Sequence, residues 1–256
     1  MEYSPVTYGV PHSGSRSAVL TDRRLIVIPT YNEADNLRPL LARLMDGFAA
    51  DVLVVDDNSP DGTGKIADEL ASASEQIHVL HRKKKSGLAS AYVDGFQYAL
   101  QLGYDIVFQM DADGSHDPAA LPLMVGALEN CDLVIGSRYV PGGGSTNWSW
   151  SRRAISRAGS HYVRALLRLP VRDTTSGFKG WRAELLRKIL AADVAASGYV
   201  FQIEMTHRAV RMGARVEEVP IQFADRRLGV SKFSSGILAE AMIRVALMSA
   251  RRLLVR

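Results

Sequence analysis

Two aspartates separated by one small residue, Asp111-Ala112-Asp113, follow the apolar run Asp105-Ile106-Val107-Phe108-Gln109-Met110. Carboxylates this close repel each other unless a cation or strong hydrogen-bond donors accompany them. Hard oxygen ligands suit Mg2+ or Mn2+, an ion commonly held by one or two carboxylates together with phosphate oxygens. The alternative is an Asx turn capping a helix that begins at Pro118. His116 lies close by, yet no second His or Cys stands at zinc-ligand spacing, so it reads as a supporting or structural residue. Two further polar sets also end apolar runs. In Pro29-Thr30-Tyr31-Asn32-Glu33 the proline ends sheet pairing, Tyr31 could offer its face to a nucleobase and Glu33 could accept hydrogen bonds from it, although a plain strand-to-helix turn would look the same. In Asp56-Asp57-Asn58-Ser59-Pro60-Asp61-Gly62-Thr63, Asp57 could accept from a base edge or ribose, or the segment could be a turn and helix cap.

The elements that must position these residues alternate between short β-branched apolar runs and helical stretches, the pattern of βαβ units around a mostly parallel sheet. Strands are expected at Arg24 to Pro29, Asp51 to Val55, Gln76 to Leu80, Asp105 to Met110, Asp132 to Ile135 and Ala214 to Ile221. Helices are expected from Asn32 or Asp35 to Phe48, from Asp61-Gly62-Thr63, from Gly87 to Leu102, from Pro118, from Ser151 to Leu169 and from Phe201 to Met212. Ligands of open α/β sheets bind beyond the carboxyl ends of the strands, and three such ends carry the polar sets. Pro141-Gly142-Gly143-Gly144 reads as a flexible loop over that site, and Asp173 to Lys179 as a polar turn. With no repeat and no linker, the reading is one α/β domain over residues 23–235, preceded by a mobile tail over residues 1–22.

Composition narrows the function classes. The chain has 256 residues, 47% apolar and 23% charged, which excludes dominant disorder. Cys131 is the single cysteine, so no intramolecular disulfide forms, and its apolar neighbours mark it as core filling. A net charge of +4 could favour anionic partners, and its distribution says more: Arg82 to Lys85, Arg152-Arg153 with Arg157, Arg226-Arg227 and Arg251-Arg252 are basic, whereas Asp56-Asp57 and Asp111/Asp113 are acidic. That separation suits a cation held beside polyanions. Basic residues without interleaved aromatics argue against a nucleic-acid partner. No apolar stretch reaches the roughly 20 residues that span a bilayer, and the N-terminus has no signal-peptide core. A cytoplasmic protein is expected. Residues 236–256 combine Ile237, Leu238, Met242, Val245 and Leu247 with Arg244, Arg251 and Arg252, as an interfacial amphipathic helix would, or one packed on the domain.

The series Pro29-Thr30-Tyr31-Asn32-Glu33, Val55 to Thr63, Asp111-Ala112-Asp113, Ser137-Arg138-Tyr139, Thr175-Ser176-Gly177-Phe178-Lys179 and Arg226-Arg227-Leu228-Gly229-Val230-Ser231-Lys232 resembles the inverting glycosyltransferases of GT-A fold. More closely, it resembles the polyprenol (dolichol) phosphate mannose synthases, over about residues 24–235. The resemblance implies a Rossmann-like nucleotide-diphospho-sugar transferase domain, GDP-mannose as donor, a polyprenyl monophosphate as acceptor, Mg2+ or Mn2+ as cofactor, and work at the inner face of the membrane, with a membrane-embedded anchoring protein as one further partner. It also implies roles. Pro29, Tyr31, Glu33, Val55 and Asp57 would line the guanosine pocket. Asp111 and Asp113, helped by Ser115, would hold the ion, and with Ala112 between them would contact the donor. Arg226 and Lys232 would close over the donor phosphates, Arg226 with a catalytic part. Arg138, near both substrates, would grip the acceptor phosphate with Arg152 and Ser156. Because a phosphate acceptor is already anionic, Gln202 and Glu204 would position mannose and no general base is needed. Gly87 to Ala91 opens a helix whose amides could face the diphosphate. Gly114 departs from the apolar residue expected after the aspartate pair. The alternatives are another donor such as UDP-glucose on the same acceptor, or a non-catalytic subunit binding nucleotide sugar or lipid phosphate.

Overall fold

The computed structural model describes residues 22–192, 198–225 and 242–250. Strands β1 (Arg24–Thr30), β2 (Asp51–Asp56), β3 (Ile77–His81) and β4 (Ile106–Gln109) alternate with helices α1 (Ala34–Met45), α2 (Thr63–Ala73) and α3 (Leu88–Gln101). A 3-10 turn at Pro118–Ala120 leads into α4 (Leu121–Leu128), β5 (Leu133–Ser137), the two-residue β6 (Gly144–Ser145) and the basic helix α5 (Trp150–Leu167). Then come β7 (Lys179–Arg182), α6 (Ala183–Leu190), α7 (Gly198–Arg211), β8 (Val216–Pro220) and β9 (Gln222–Phe223).

The main sheet has the order β3-β2-β1-β4-β7-β5-β8, and all its pairings are parallel except those of β7, which runs antiparallel between β4 and β5. Strand alternation divides the core. Leu25, Val27, Leu53 and Val55 face α3, α6 and α7, while Ile26, Ile28, Val52 and Val54 face α1 and α4. Helices on both faces explain why these strands read as unbroken apolar runs. Each such buried side chain contributes roughly 1.5–3 kcal/mol. A close approach occurs at Gly95 of α3, where a Cβ would fall 2.4 Å from Val27 Cγ1. A glycine inside a helix costs about 1 kcal/mol of propensity, and here it lets α3 lie against β1.

Two features differ from the sequence expectation, and a third bears on a segment left with two readings. Lys179–Arg182 is a strand where a polar turn was read to its last residue, and the turn itself stops at Phe178. The glycine-rich segment is no free loop: the amides of Gly144 and Thr146 donate to the carbonyls of Ile221 and Phe223, making the small β6/β9 sheet. Gly143 approaches the Ser137 carbonyl so closely that a Cβ would sit 2.4 Å from it. At the C-terminus, residues 242–250 are helical and lie on α5, with Val245 fully buried, Tyr162 Oη donating to the Met242 carbonyl and Ser249 Oγ to that of Leu166. One face of this segment is therefore part of the domain core, while Met242, Ile243 and Leu247 on the other are exposed.

Candidate active site

The loop after β4 carries the aspartate pair. The Asp111 amide donates to His116 Nδ1 at 3.1 Å, and Tyr92 Oη of α3 donates to Asp111 Oδ1 at 2.9 Å. His116 is stacked on Phe178 and wholly buried; burial lowers its pKa, so the ring stays neutral and Nδ1 remains an acceptor. Burial, then the Asp111 and Asp113 charges, raise the Tyr92 phenol well above its ordinary value, so it stays a donor. Asp113 Oδ1 accepts from the Ser115 amide at 3.0 Å and Ser115 Oγ at 2.5 Å. Ser115 thus orients Asp113 with the hydroxyl that was expected to face an ion. Capping of the Pro118 turn falls to Asp117, which accepts from the Ala119 amide. Ala112 is buried in the core, and only its peptide can line the site.

This donor set fits a hard divalent cation. The two carboxylates act on the same neighbours and are each held by donors, while no group of three or more His, Cys, Asp or Glu gathers among the described residues. A carboxylate pair that leaves the other positions to phosphate and water oxygens is what Mg2+ or Mn2+ accepts.

Around the expected nucleoside pocket, the ends of β1 and β2 are stitched together. Asp61 accepts from the amides of Ala34 and Thr63, the first residues of α1 and α2, and Thr63 Oγ1 accepts from the Glu33 amide at 2.9 Å. Glu33 Oε2 accepts from Asn36 Nδ2. Tyr31 is half-buried beneath Lys85, whose Nζ sits 3.7 Å from the ring centroid. Two residues differ from expectation. Val55 is fully enclosed, because alternation in β2 turns its side chain onto the sheet face that α3 covers. Asp57 accepts from Arg82 Nη1 at 2.5 Å, from the Ser86 amide at 2.9 Å and from the Gly87 amide at 2.7 Å. Its carboxylate organises the basic loop instead of standing open to a base, and the Gly87 amide, expected to face a diphosphate, faces Asp57. Pro29 is buried beside Thr30 at the strand end.

The residues expected around the acceptor phosphate do come together. Arg138 and Arg152 lie 5.5 and 4.2 Å from the Trp148 ring centroid, and Tyr139 Oη donates to Ser156 Oγ at 2.6 Å. Ser149 caps α5 by accepting from the Arg152 amide, which sets Arg152 in the first turn. Arg138 departs from the expected grip. Its Nε and Nη2 form a fork with Asp173 at 2.7 Å each, both side chains being buried, so the bidentate face predicted for phosphate meets a carboxylate. Burial pushes the Asp173 carboxyl up, but the Arg138 charge and hydrogen bonds outweigh it and hold the carboxyl below its ordinary range. Arg152 Nη1 pairs with Asp225 at 2.9 Å on the surface. Arg226 and Lys232 lie outside the described residues.

Behind the site runs a buried network that sequence reasoning missed. Lys179 Nζ donates to the Gln202 carbonyl at 2.7 Å, Gln109 Nε2 donates to Gln202 Oε1 at 2.7 Å, and Trp181 Nε1 donates to Gln109 Oε1. Gln202, expected near mannose, has its amide oxygen turned to Lys179 and Gln109. Glu204 pairs with Arg208 one turn along α7 at 2.5 Å. Neither Tyr92 nor Lys179 carries a local signal: one sits at a core position of its helix, the other at the end of a polar turn.

The glycosyl transferase family 2 model matches residues 25–190. An undecaprenyl-phosphate mannosyltransferase of Micrococcus luteus is 51% identical over 224 residues, 87% of this chain and 92% of that protein. A polyprenol monophosphomannose synthase of Mycolicibacterium smegmatis is 48% identical over 229 residues, 88% and 86% of the two chains. Among solved structures, glucosyl-3-phosphoglycerate synthase of Mycobacterium tuberculosis with Mn2+, UDP and glucosyl-3-phosphoglycerate matches with a TM-score of 0.61 and 21% identity, over 90% of this chain and 79% of that one. A Pyrobaculum calidifontis mannosyltransferase in complex with GDP-Man and Mn2+ matches with a TM-score of 0.60 and 18% identity, over 92% and 65%. These two share the GT-A fold of this chain. The family match over most of the sheet, and close relatives along most of the sequence, show that the chain belongs to glycosyltransferase family 2.

Proposed function

We propose that this glycosyltransferase moves mannose from GDP-mannose to a polyprenyl monophosphate with inversion, giving polyprenyl phosphate β-mannose and GDP. The observation that carries the reading is the 51% and 48% identity, over most of both chains, to two enzymes named for that sugar and that kind of acceptor. Placed at the aspartate pair, Mg2+ or Mn2+ would offset the charge that builds on the leaving diphosphate. Asp111 and Asp113 would hold it there, Asp113 oriented by Ser115. Tyr31 and Glu33 flank the nucleoside, on a loop that Thr63 and Asp61 keep in place. Arg226 and Lys232 neutralise the donor phosphates. Arg152 and Ser156 bind the acceptor phosphate and orient its oxygen towards the anomeric carbon, while Arg138 adds its charge and, through Asp173, a fixed position. An anionic acceptor oxygen needs no proton removed, which agrees with a Glu204 engaged by Arg208.

The lipid tail of the acceptor requires the site to meet a bilayer. No helix among the described residues is long and apolar enough to cross one. We assign surface attachment to the exposed Trp150 and Ile155 of α5 and Ile243 and Leu247 of the 242–250 helix, flanked by Arg152, Arg153 and Arg157. Incubation with radiolabelled GDP-mannose, Mg2+ or Mn2+ and a polyprenyl phosphate should carry label into the organic phase. Label that stays aqueous with every metal overturns the proposal.

A further inference from the structure

The Asp111 carboxylate is bounded on two sides by groups with no assigned part in the reaction. Tyr92 Oη donates to Oδ1 at 2.9 Å, and its ring is fixed in turn by stacking against Phe96 at 5.7 Å and Phe201 at 5.9 Å between centroids. Tyr92 is fully buried, so its hydroxyl has little freedom to turn elsewhere. On the other side stands Gly177, where a Cβ would lie 3.2 Å from Asp111 Oδ2. Its carbonyl accepts from Gln109 Nε2 at 3.0 Å, which ties this backbone to β4, the strand that delivers Asp111. Hydroxyl and bare backbone therefore meet the two oxygens of one carboxylate.

We propose that Tyr92 and Gly177 are positioning residues that together set the Asp111 carboxylate for the divalent ion. The inference rests on the reading of Asp111 as a metal ligand. Partners of this kind act on affinity: loss of an outer hydrogen bond to a ligating group typically weakens metal binding by roughly 10–100-fold. Tyr92→Phe keeps the ring and its stacking and removes the hydroxyl. Gly177→Ala keeps the hydroxyl and pushes Oδ2 by a few tenths of an ångström.

The test is Mn2+ binding to the full chain with GDP present, followed by electron paramagnetic resonance, together with kcat and the KM for Mn2+. Thermal melting confirms that each variant is folded. Both variants should bind Mn2+ about tenfold or more weakly, with KM for Mn2+ raised and kcat largely recovered at saturating metal. Combining Tyr92→Phe with Asp111→Asn should add nothing to the loss from Asp111→Asn. Wild-type Mn2+ affinity in either folded variant overturns the proposal, and if Tyr92→Phe fails to fold, Gly177→Ala decides it. Wild-type protein that binds no Mn2+ with GDP overturns the metal reading itself, a result distinct from equal affinity across the variants.

Discussion

At the scale of single residues, the two acceptor-side arginines are chemically alike and structurally unlike. Arg138 is buried in a fork with Asp173, and removing one partner of such a pair leaves a charge without compensation in a low dielectric. Arg138→Ala should destabilise the fold by about 3–5 kcal/mol in urea denaturation. Arg152→Ala removes an exposed side chain and should leave stability within about 0.5 kcal/mol while raising the KM for acceptor and not for donor. Asp113→Ala should keep the fold, because the residue closes a strand-end turn, and cut transfer by about 3 kcal/mol of barrier or more, measured as kcat at saturating donor. The aspartate pair was legible because its spacing is local. The Arg138–Asp173 fork was not, since nothing in a sequence marks two charges 35 positions apart as neighbours.

At the scale of elements, alternation exposed every long strand and helix ahead of the glycine-rich segment. It failed at β7, where Lys179 looks like turn polarity and is instead a buried cation in a four-residue strand. It also left the C-terminal segment between two readings, and the structure divides them by face. Val245→Asp should unfold the packing on α5 and lower the melting temperature. Leu247→Glu should leave melting unchanged and reduce cosedimentation with anionic vesicles. Unchanged cosedimentation of Leu247→Glu would assign attachment to another surface or to a membrane-embedded partner.

At the scale of the whole molecule, burial of one cation should be visible in the pH dependence of folding. Burial lowers the Lys179 pKa from 10.5 to about 7, with the Asp173 charge opposing the shift. Between those values the unfolded chain binds the extra proton, so this group makes stability rise with pH from about 7 to 10.5 and has no such effect outside that window. Urea denaturation of wild type and Lys179→Met at several pH values should show their difference changing by up to about 1.4 kcal/mol per pH unit inside the window. A difference that stays flat would mean that Lys179 keeps an ordinary pKa. Cys131, whose thiol burial raises to about 11, acts in the opposite direction above pH 9, and it cancels because both proteins carry it.

The antiparallel placement of β7 has a consequence for the order in which the chain folds. β5 touches only β7 and β8 in the sheet, and both are synthesised later, with Leu133 pairing to Trp181 and Val216. The β3-β2-β1-β4 half can assemble as soon as Gln109 has emerged, whereas the apolar Leu133–Ser137 strand must wait for partners made over 40 residues afterwards. Pairings over such separations are slow to close, and an unpaired apolar strand is a template for association. A nascent chain stalled between α5 and β7 is thus the species that should need chaperone protection most. The strand that carries Lys179 into the buried network is also the first to cover an edge of β5.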